Sequence, residues 1–107
     1  MDLSVEVYRL TRSFPSEERF GLTSLIRRAA VSVASNIAEG AGRGTRRDFI
    51  RFLNIARSSL AELETQIEVA RRCELPASYQ AVDHLCLVVG QMLSGLIRSL
   101  SRRASRP

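Results

Sequence analysis

The fold of this chain is decided by the stretch RRDFIRFLNIARSSLAELETQIEVARR, which covers residues 46–72. Its apolar residues recur at steps of three and four, the spacing of one face of an α-helix. The stripe consists of Phe49, Phe52, Leu53, Ala56, Leu60, Leu63, Ile67 and Ala70. Thr45 precedes the stretch and Asp48 lies three residues later, which is typical of a helix N-cap with an acidic third position. We therefore predict a helix from Arg46 to Arg72.

Similar stripes on either side predict three further helices. Their predicted ranges are Asp2 to Ser13, Phe20 or Leu22 to Gly40, and Pro76–Ser78 to about Ser101. Phe14-Pro15 ends the first, because the residue before a proline is disfavoured in the α conformation. Gly40 and Gly42 supply the stop of the second, and Pro76 suits the first turn of the last.

Short polar connections between these segments make neighbouring helices antiparallel. The predicted fold is all-α, an up-down-up-down antiparallel four-helix bundle that assembles into a cyclic homo-oligomer. The bundle covers residues 1–101, and residues 102–107 form a basic, frayed tail. A three-helix array with a detached first helix is the structural alternative, because that helix is short.

The composition predicts one domain with an aliphatic core. The chain has 107 residues, of which 45% are apolar and 6% are aromatic, and it contains no Trp. Several apolar residues lie off the main stripes of the second and fourth helices: Leu25, Val31, Ala34, Ala38, Cys86, Leu87, Val88, Met92 and Ile97. Because large exposed apolar patches are rare on monomers, we expect self-association.

Side chains that could support catalysis or metal binding are sparse. His84 is the only histidine, and Cys73 and Cys86 are too far apart for a zinc pattern. We therefore predict no enzyme, no metal and no cofactor. The chain has no signal peptide and no run of ~20 apolar residues, so we expect a cytoplasmic protein without a membrane partner. The loop 40–45 resembles a phosphate loop, but it lacks the Lys-Ser/Thr ending and follows a helix.

Polar residues in the second helix predict the register of the central hairpin. A hairpin about the glycine turn brings Asn36 near Asn54, and Arg28 near Glu62. Glu39 is a further polar residue in this otherwise apolar segment. We interpret Asn36, Glu39, Arg28 and Glu62 as structural polar residues that fix the register between helices, with a binding role as the alternative.

The arginines concentrate at one end of the predicted bundle. All 16 basic residues are Arg, and the formal net charge is +5. The up-down topology brings two groups together: Arg43, Arg46, Arg47 and Arg51 at the turn, and Arg98, Arg102, Arg103 and Arg106 at the end of the chain. Arg46 and Arg47 occupy a first helical turn, where the helix dipole disfavours cations. We predict a nucleic-acid-binding surface that contacts the RNA or DNA backbone; a solubilising basic patch is the alternative.

Five sequence blocks resemble a known bacterial family of four-helix bundles, first noticed in intervening sequences of large-subunit ribosomal RNA genes. The blocks are FPSEERFGL (14–22), RAAVS (28–32), SNIAEG (35–40), FLNIA (52–56) and SLAEL (59–63). The resemblance implies a homopentamer. The chain is also similar to the accessory protein of diversity-generating retroelements, a basic pentameric barrel that works with a reverse transcriptase and nucleic acid. No enzymatic activity is established for the family.

Two functions remain open at this point. The first is a nucleic-acid-binding accessory module that uses the basic end. The second is a structural oligomer that docks a protein partner. Salt-dependent retention on RNA separates them, because phosphate contacts release counterions.

Overall fold

The computed structural model describes residues 2–105, and within that range the chain is helical with no β-strand. For Asp2 and residues 103–105 the description covers the backbone and not the side chains. The four α-helices are α1 (Asp2–Thr11), α2 (Leu22–Ala41), α3 (Arg46–Arg72) and α4 (Gln80–Ser105), and a 3-10 turn, Ser16–Glu18, lies between α1 and α2. The molecule measures 54 × 21 × 18 Å. Since a helix rises about 1.5 Å per residue, α3 and α4 set its long axis.

Helices that follow one another along the chain run antiparallel, and α1 also packs against α4. The hydroxyl of Ser4 donates to the carbonyl oxygen of Ala30 over 3.3 Å, which ties the start of α1 to the middle of α2. The hydroxyls of Ser32 and Ser59 are 2.8 Å apart and join α2 to α3. Helices α1 and α3 are therefore diagonal to each other, as are α2 and α4, which is the arrangement of a four-helix bundle.

The short first helix divides the bundle into two unequal halves. Helix α1 has 10 residues and α4 has 26, so α1 covers about 15 Å of a helix about 39 Å long. We call the part beside α1 the upper half and the part that ends at the α2–α3 turn the lower half. In the lower half α4 packs against α3 but not against α2. The structure therefore combines a four-helix section with a three-helix section.

The core is aliphatic, as the composition predicts. Its largest fully buried side chains are Leu3, Val7, Ile26, Val33, Leu53, Leu63, Ile67, Val82 and Leu93. Burying one such side chain contributes about 1.5–3 kcal/mol relative to leaving it exposed. Every helix supplies members of this set, so the core runs through the whole bundle as one cluster.

Helix α3 begins and ends at the predicted residues. The backbone N–H of Asp48 donates to the Thr45 hydroxyl over 3.2 Å, which confirms the predicted N-cap. Helix α1 ends at Thr11, two residues before the predicted end. The N–H of Phe14 bonds back to the carbonyl of Thr11 over 3.1 Å, so a turn replaces the last predicted residues.

The predicted start of α4 was wrong. Pro76 lies in the connection, and α4 begins at Gln80. Glu74 adopts a positive φ of 59° after the end of α3, and the Tyr79 hydroxyl donates to the carbonyl of Leu75 over 2.7 Å. These contacts extend the connection through the residues predicted to be helical.

The end of α4 also differs from the prediction. The helix continues through Arg102 and Arg103 to Ser105, beyond the predicted end at Ser101. No Gly or Pro follows Gly95 until Pro107, so no strong stop signal interrupts the helix. Arg106 and Pro107 lie outside the described residues.

Gly40 has a packing role instead of the predicted stop role. Helix α2 continues past it to Ala41, and Gly42 is the C-cap. Gly40 is buried, and a Cβ added there would lie 2.7 Å from Cβ of Phe52 and 3.1 Å from a ring carbon of Phe49. Helices α2 and α3 therefore approach each other too closely at this level for any residue larger than glycine.

One segment in residues 2–105 is long and apolar enough to cross a membrane by length and composition alone. It is Gln80–Arg102 in α4, with a mean hydropathy of 1.3, and 22% of it is buried. A core helix of a water-soluble protein passes the same test, although such helices are mostly buried. The low buried share shows that α4 carries apolar residues on its outward face as well as on its core face.

Candidate nucleic-acid interface

The turn between α2 and α3 exposes Arg43, Arg46 and Arg47 at the end of the lower half. The N–H of Gly42 bonds to carbonyl groups in the last turn of α2 and closes that helix. Gly44 has a φ of +85°, and a Cβ there would meet no atom within 4 Å. The backbone conformation alone therefore calls for glycine at this position. The conformation of the turn therefore determines the position of these three arginines at the end of the bundle.

Two of the predicted arginines lie over one aromatic ring. The guanidinium carbon of Arg43 is 5.0 Å from the centroid of the Phe52 ring, and that of Arg51 is 4.6 Å away. Both distances are within the range of cation–π attraction. Arg43 also pairs with Glu39 at 2.8 Å, and Arg51 lies 3.7 Å from Asp48. These two arginines are held in place, and neighbouring carboxylates partly balance their charge.

Arg46 and Arg47 differ from that pair. Both are exposed, and no acidic side chain among those described lies within ion-pair distance of either. They also stand in the first turn of α3, where the helix dipole opposes a positive charge. Their charges are therefore open to an anion from solution.

Helix α4 adds arginines to the same half of the bundle. Arg98 and Arg102 are exposed, and no described carboxylate pairs with them. Arg98 lines a groove with Arg57 of α3, a residue that the sequence reasoning missed. Arg103 is part of α4, but its side chain is not among those described. We call Arg43, Arg46, Arg47, Arg51, Arg98 and Arg102 the basic end.

In the upper half, Arg9, Arg71 and Arg72 are ion-paired, whereas no described carboxylate pairs with Arg12, Arg19, Arg27 or Arg28. Arg71 of α3 lies 2.8 Å from Asp83 of α4 and 3.2 Å from Glu68, and its guanidinium lies over the ring of Tyr79. Hydrogen bonds from Arg71 and Arg72 lower the pKa of Glu68 below its usual value. Arg71 thus joins α3 to α4, whereas the basic end keeps several arginines without a carboxylate partner among the described side chains.

The predicted hairpin register agrees with the position of one pair of the structural polar residues, and the hydrogen bond between the helices is a different one. Arg28 and Glu62 line the same groove between α2 and α3. Asn36 bonds within α2, donating to the carbonyl and hydroxyl oxygens of Ser32 over 2.8 and 3.1 Å. The interhelical hydrogen bond joins Ser32 to Ser59. Sequence reasoning missed it, because serine at the edge of an apolar stripe normally faces solvent.

The side chains with catalytic or metal-binding potential lie apart from one another. No three His, Cys, Asp or Glu side chains in the described part of the chain form a group that could hold a metal ion. Cys86 is buried in the core, and burial raises the pKa of its thiol to about 12. Cys86 therefore packs as a small neutral group, while Cys73 is exposed.

The chain matches no functionally curated protein. The family profile described as 23S rRNA-intervening sequence protein matches residues 1–95. That range includes α1, α2, α3 and most of α4, so the match covers nearly the whole bundle. The resemblance noted in the sequence is thereby confirmed, and the chain belongs to the 23S rRNA-intervening sequence protein family.

Proposed function

We propose that this protein is a non-enzymatic, oligomeric helical bundle that binds the phosphate backbone of RNA or DNA through its basic end. The observation that carries the proposal is the concentration, in the lower half of the bundle, of exposed arginines without a carboxylate partner among the described side chains: Arg46, Arg47, Arg98 and Arg102. Their charge is not used to hold the fold. A polyanion is the ligand that such a surface attracts most strongly.

The chemistry of the basic end favours backbone contacts over base reading. Guanidinium groups match the geometry of phosphate oxygens and can bond to them in pairs. Phosphate contacts fix position on a strand but carry no sequence information. Arg43 and Arg51, already held over the Phe52 ring, lose little freedom on binding. We therefore expect binding with little sequence preference and a strong dependence on salt.

The test replaces the three turn arginines. Arg43→Glu, Arg46→Glu and Arg47→Glu are combined, and a matched control combines Arg9→Glu, Arg12→Glu and Arg72→Glu, which changes net charge equally at exposed positions of the upper half. Affinity for RNA and DNA oligonucleotides is measured at several salt concentrations. We expect the turn variant to lose binding at 150 mM salt, and the control to keep most of it.

Equal binding by the two triple variants would show that net charge, and not the basic end, governs the interaction. Retained helicity, measured by circular dichroism, separates lost binding from lost folding. A wild-type affinity that does not change with salt would also contradict the proposal, since phosphate contacts release counterions.

A second function is favoured by the outward face of α4. Leu87 is 59% exposed, Val88 44% and Met92 45%, all within two turns of one helix. Exposed apolar clusters of this kind mark contact surfaces. They support a structural oligomer that docks a protein partner, and the pentamer implied by the family resemblance is the specific assembly we propose.

Light scattering tests the assembly. We expect wild-type protein to be oligomeric at micromolar concentration, with a mass near five chains. The double variant Leu87→Gln, Met92→Gln should shift the protein toward monomer and leave its helix content unchanged, since both side chains lie outside the core. A wild-type monomer would refute self-association, and a wild-type dimer would refute the pentamer.

A further inference from the structure

A groove on the outer side of α1 and α2 combines exposed aromatic rings with arginines. Tyr8, Arg19, Phe20, Thr23, Arg27 and Val31 line it, and we call it the aromatic groove. The side chain of Phe20 is 91% exposed, by far the largest value for a bulky apolar residue in the described chain. Phe20 lies in the connection before α2, so packing of that helix does not explain its position.

The arginines of the aromatic groove are stacked on its rings. The guanidinium carbon of Arg27 is 4.5 Å from the centroid of the Tyr8 ring, and Arg27 Nε donates to the Thr11 hydroxyl over 2.8 Å. The guanidinium carbon of Arg19 is 5.5 Å from the centroid of the Phe20 ring. No acidic side chain lines the groove. It therefore presents flat, positively charged surfaces.

The outer surface of α2 connects the aromatic groove to the basic end. Helix α2 contains two arginines, Arg27 and Arg28, and a single carboxylate, Glu39. Arg43 neutralises that carboxylate at 2.8 Å. The helix is 20 residues long, or about 30 Å. A nucleic-acid strand that ran along α2 from the aromatic groove to the basic end would thus meet no unbalanced acidic side chain of that helix.

We propose that the aromatic groove stacks the bases of single-stranded nucleic acid, whose backbone continues along α2 to the basic end. The inference rests on the proposed function and narrows its ligand to unpaired strands. Exposed bases stack on aromatic rings and on guanidinium planes, whereas the bases of a duplex are already stacked on each other. A peptide ligand fits this site less well, because the apolar side chain of a peptide needs an enclosing pocket. Phe20 is exposed to solvent and offers only a flat ring surface. The hydroxyl of Ser24, which is half-buried in the same groove, supplies a partner for a sugar or phosphate oxygen.

The first test uses the absence of tryptophan from the chain. Phe20→Trp introduces a single fluorescent indole at the proposed stacking position without disturbing the core. Titration with a 12-nucleotide single-stranded RNA should quench this fluorescence, and the duplex of the same sequence should quench it much less. Absence of quenching at concentrations that bind the strand overturns the inference.

The second test separates stacking from general apolar contact. Phe20→Ala and Phe20→Leu should each weaken single-strand binding about tenfold, because both remove the ring, although leucine keeps apolar bulk. Duplex binding should stay within twofold of wild type. Val69→Ala, at an exposed apolar position of α3, is the matched control and should leave strand affinity unchanged. Wild-type affinity in Phe20→Leu would indicate an apolar protein contact and overturn base stacking.

The basic-end triple variant distinguishes this inference from the proposed function. If that variant abolishes binding of both strand types while the Phe20 variants bind normally, the proposed function stands and the groove inference fails. If the fluorescence of Phe20→Trp shifts to the blue as protein concentration rises without nucleic acid, the groove is covered by a second copy of the chain. That result also overturns the inference.

Discussion

Helices α3 and α4 are nearly equal in length, with 27 and 26 residues, but they use their apolar residues differently. The apolar stripe of α3 is buried almost completely, and its large exposed apolar side chains, Ile55 and Val69, are widely separated. Helix α4 buries Val82, Val89 and Leu93 and in addition exposes a compact cluster that includes Leu87.

The difference follows from the neighbours of each helix. Helix α3 packs against α2 and α4, whereas α4 has α3 on one side and the short α1 on the other. The apolar residues of α3 are thus accounted for by the fold of one chain. Those of α4 include a cluster that the described residues leave exposed, so the described fold explains α3 fully and α4 only in part.

The largest effect on the free energy of unfolding is expected at the buried leucines that α3 and α4 both contribute to the core. Leu63 of α3 and Leu93 of α4 are both fully buried, so Leu63→Ala and Leu93→Ala should each lower the free energy of unfolding by about 3 kcal/mol. Leu87→Ala on the outer face of α4 should change it by less than about 0.5 kcal/mol. Urea denaturation of dilute protein measures all three. A loss at Leu87 as large as that at Leu93 would show that the two faces of α4 do not differ.

The next effect concerns the closest approach between helices. Gly40→Ala places a Cβ 2.7 Å from Phe52 Cβ, an atom that cannot move without its backbone. We expect a destabilisation of about 1–3 kcal/mol in denaturant unfolding. Gly95→Ala in α4 is the control, because a Cβ there meets no atom within 4 Å. It should be neutral or stabilising by up to about 1 kcal/mol, since alanine is the better helix former. An unchanged stability in Gly40→Ala would contradict the close approach.

A pH effect on stability tests the burial of Cys86. Burial raises the pKa of the Cys86 thiol from 9.0 to about 12, so the unfolded chain loses this proton first as the pH rises. The stabilisation is present below pH 9 and is lost between pH 9 and 12. Between pH 8 and pH 10 the wild type should lose about 1.4 kcal/mol more than Cys86→Ala. Equal slopes in wild type and Cys86→Ala would place Cys86 outside the core.

The smallest effect tests the hydrogen bond that α3 makes to α2. Ser59→Ala removes the partner of the Ser32 hydroxyl and should lower the free energy of unfolding by about 1 kcal/mol. Ser58→Ala, one residue away and exposed, should not lower it. If both variants unfold at the same denaturant concentration, the Ser32–Ser59 contact does not stabilise the hairpin.

Much of the fold could be predicted from periodicity and caps. The predicted bounds of α3 agree with the structure, because Thr45 is a strong N-cap and the stripe has no gaps. The start of α4 was not, because Pro76 is compatible both with a first helical turn and with a loop. Only the positive φ of Glu74 and the hydrogen bond from Tyr79 to Leu75 decide between them, and such contacts leave no periodic signal.

The candidate sites were less accessible to sequence reasoning. The arginines of the basic end could be found because charge density and the turn appear directly in the sequence. The aromatic groove could not be found in this way, because Phe20 was a candidate for the first residue of α2. Periodicity does not predict whether a residue near the start of a helix faces the core or the solvent. The role of Gly40 was also hidden, since a helix stop and a close helix contact both call for glycine.

The half-buried apolar residues near the end of α4 have a consequence for how the molecule opens. In the lower half, Leu96, Ile97 and Leu100 pack against the core but are only half-buried. Amide protons in the last turns of α4 should therefore exchange with solvent through local opening, while those near Leu85 exchange only when the whole bundle unfolds. Arg98 and Arg102 lie on this easily opened segment. A nucleic-acid strand that contacts these two arginines should slow amide exchange in the last turns of α4 more than elsewhere. Amide exchange in this segment would therefore report ligand binding.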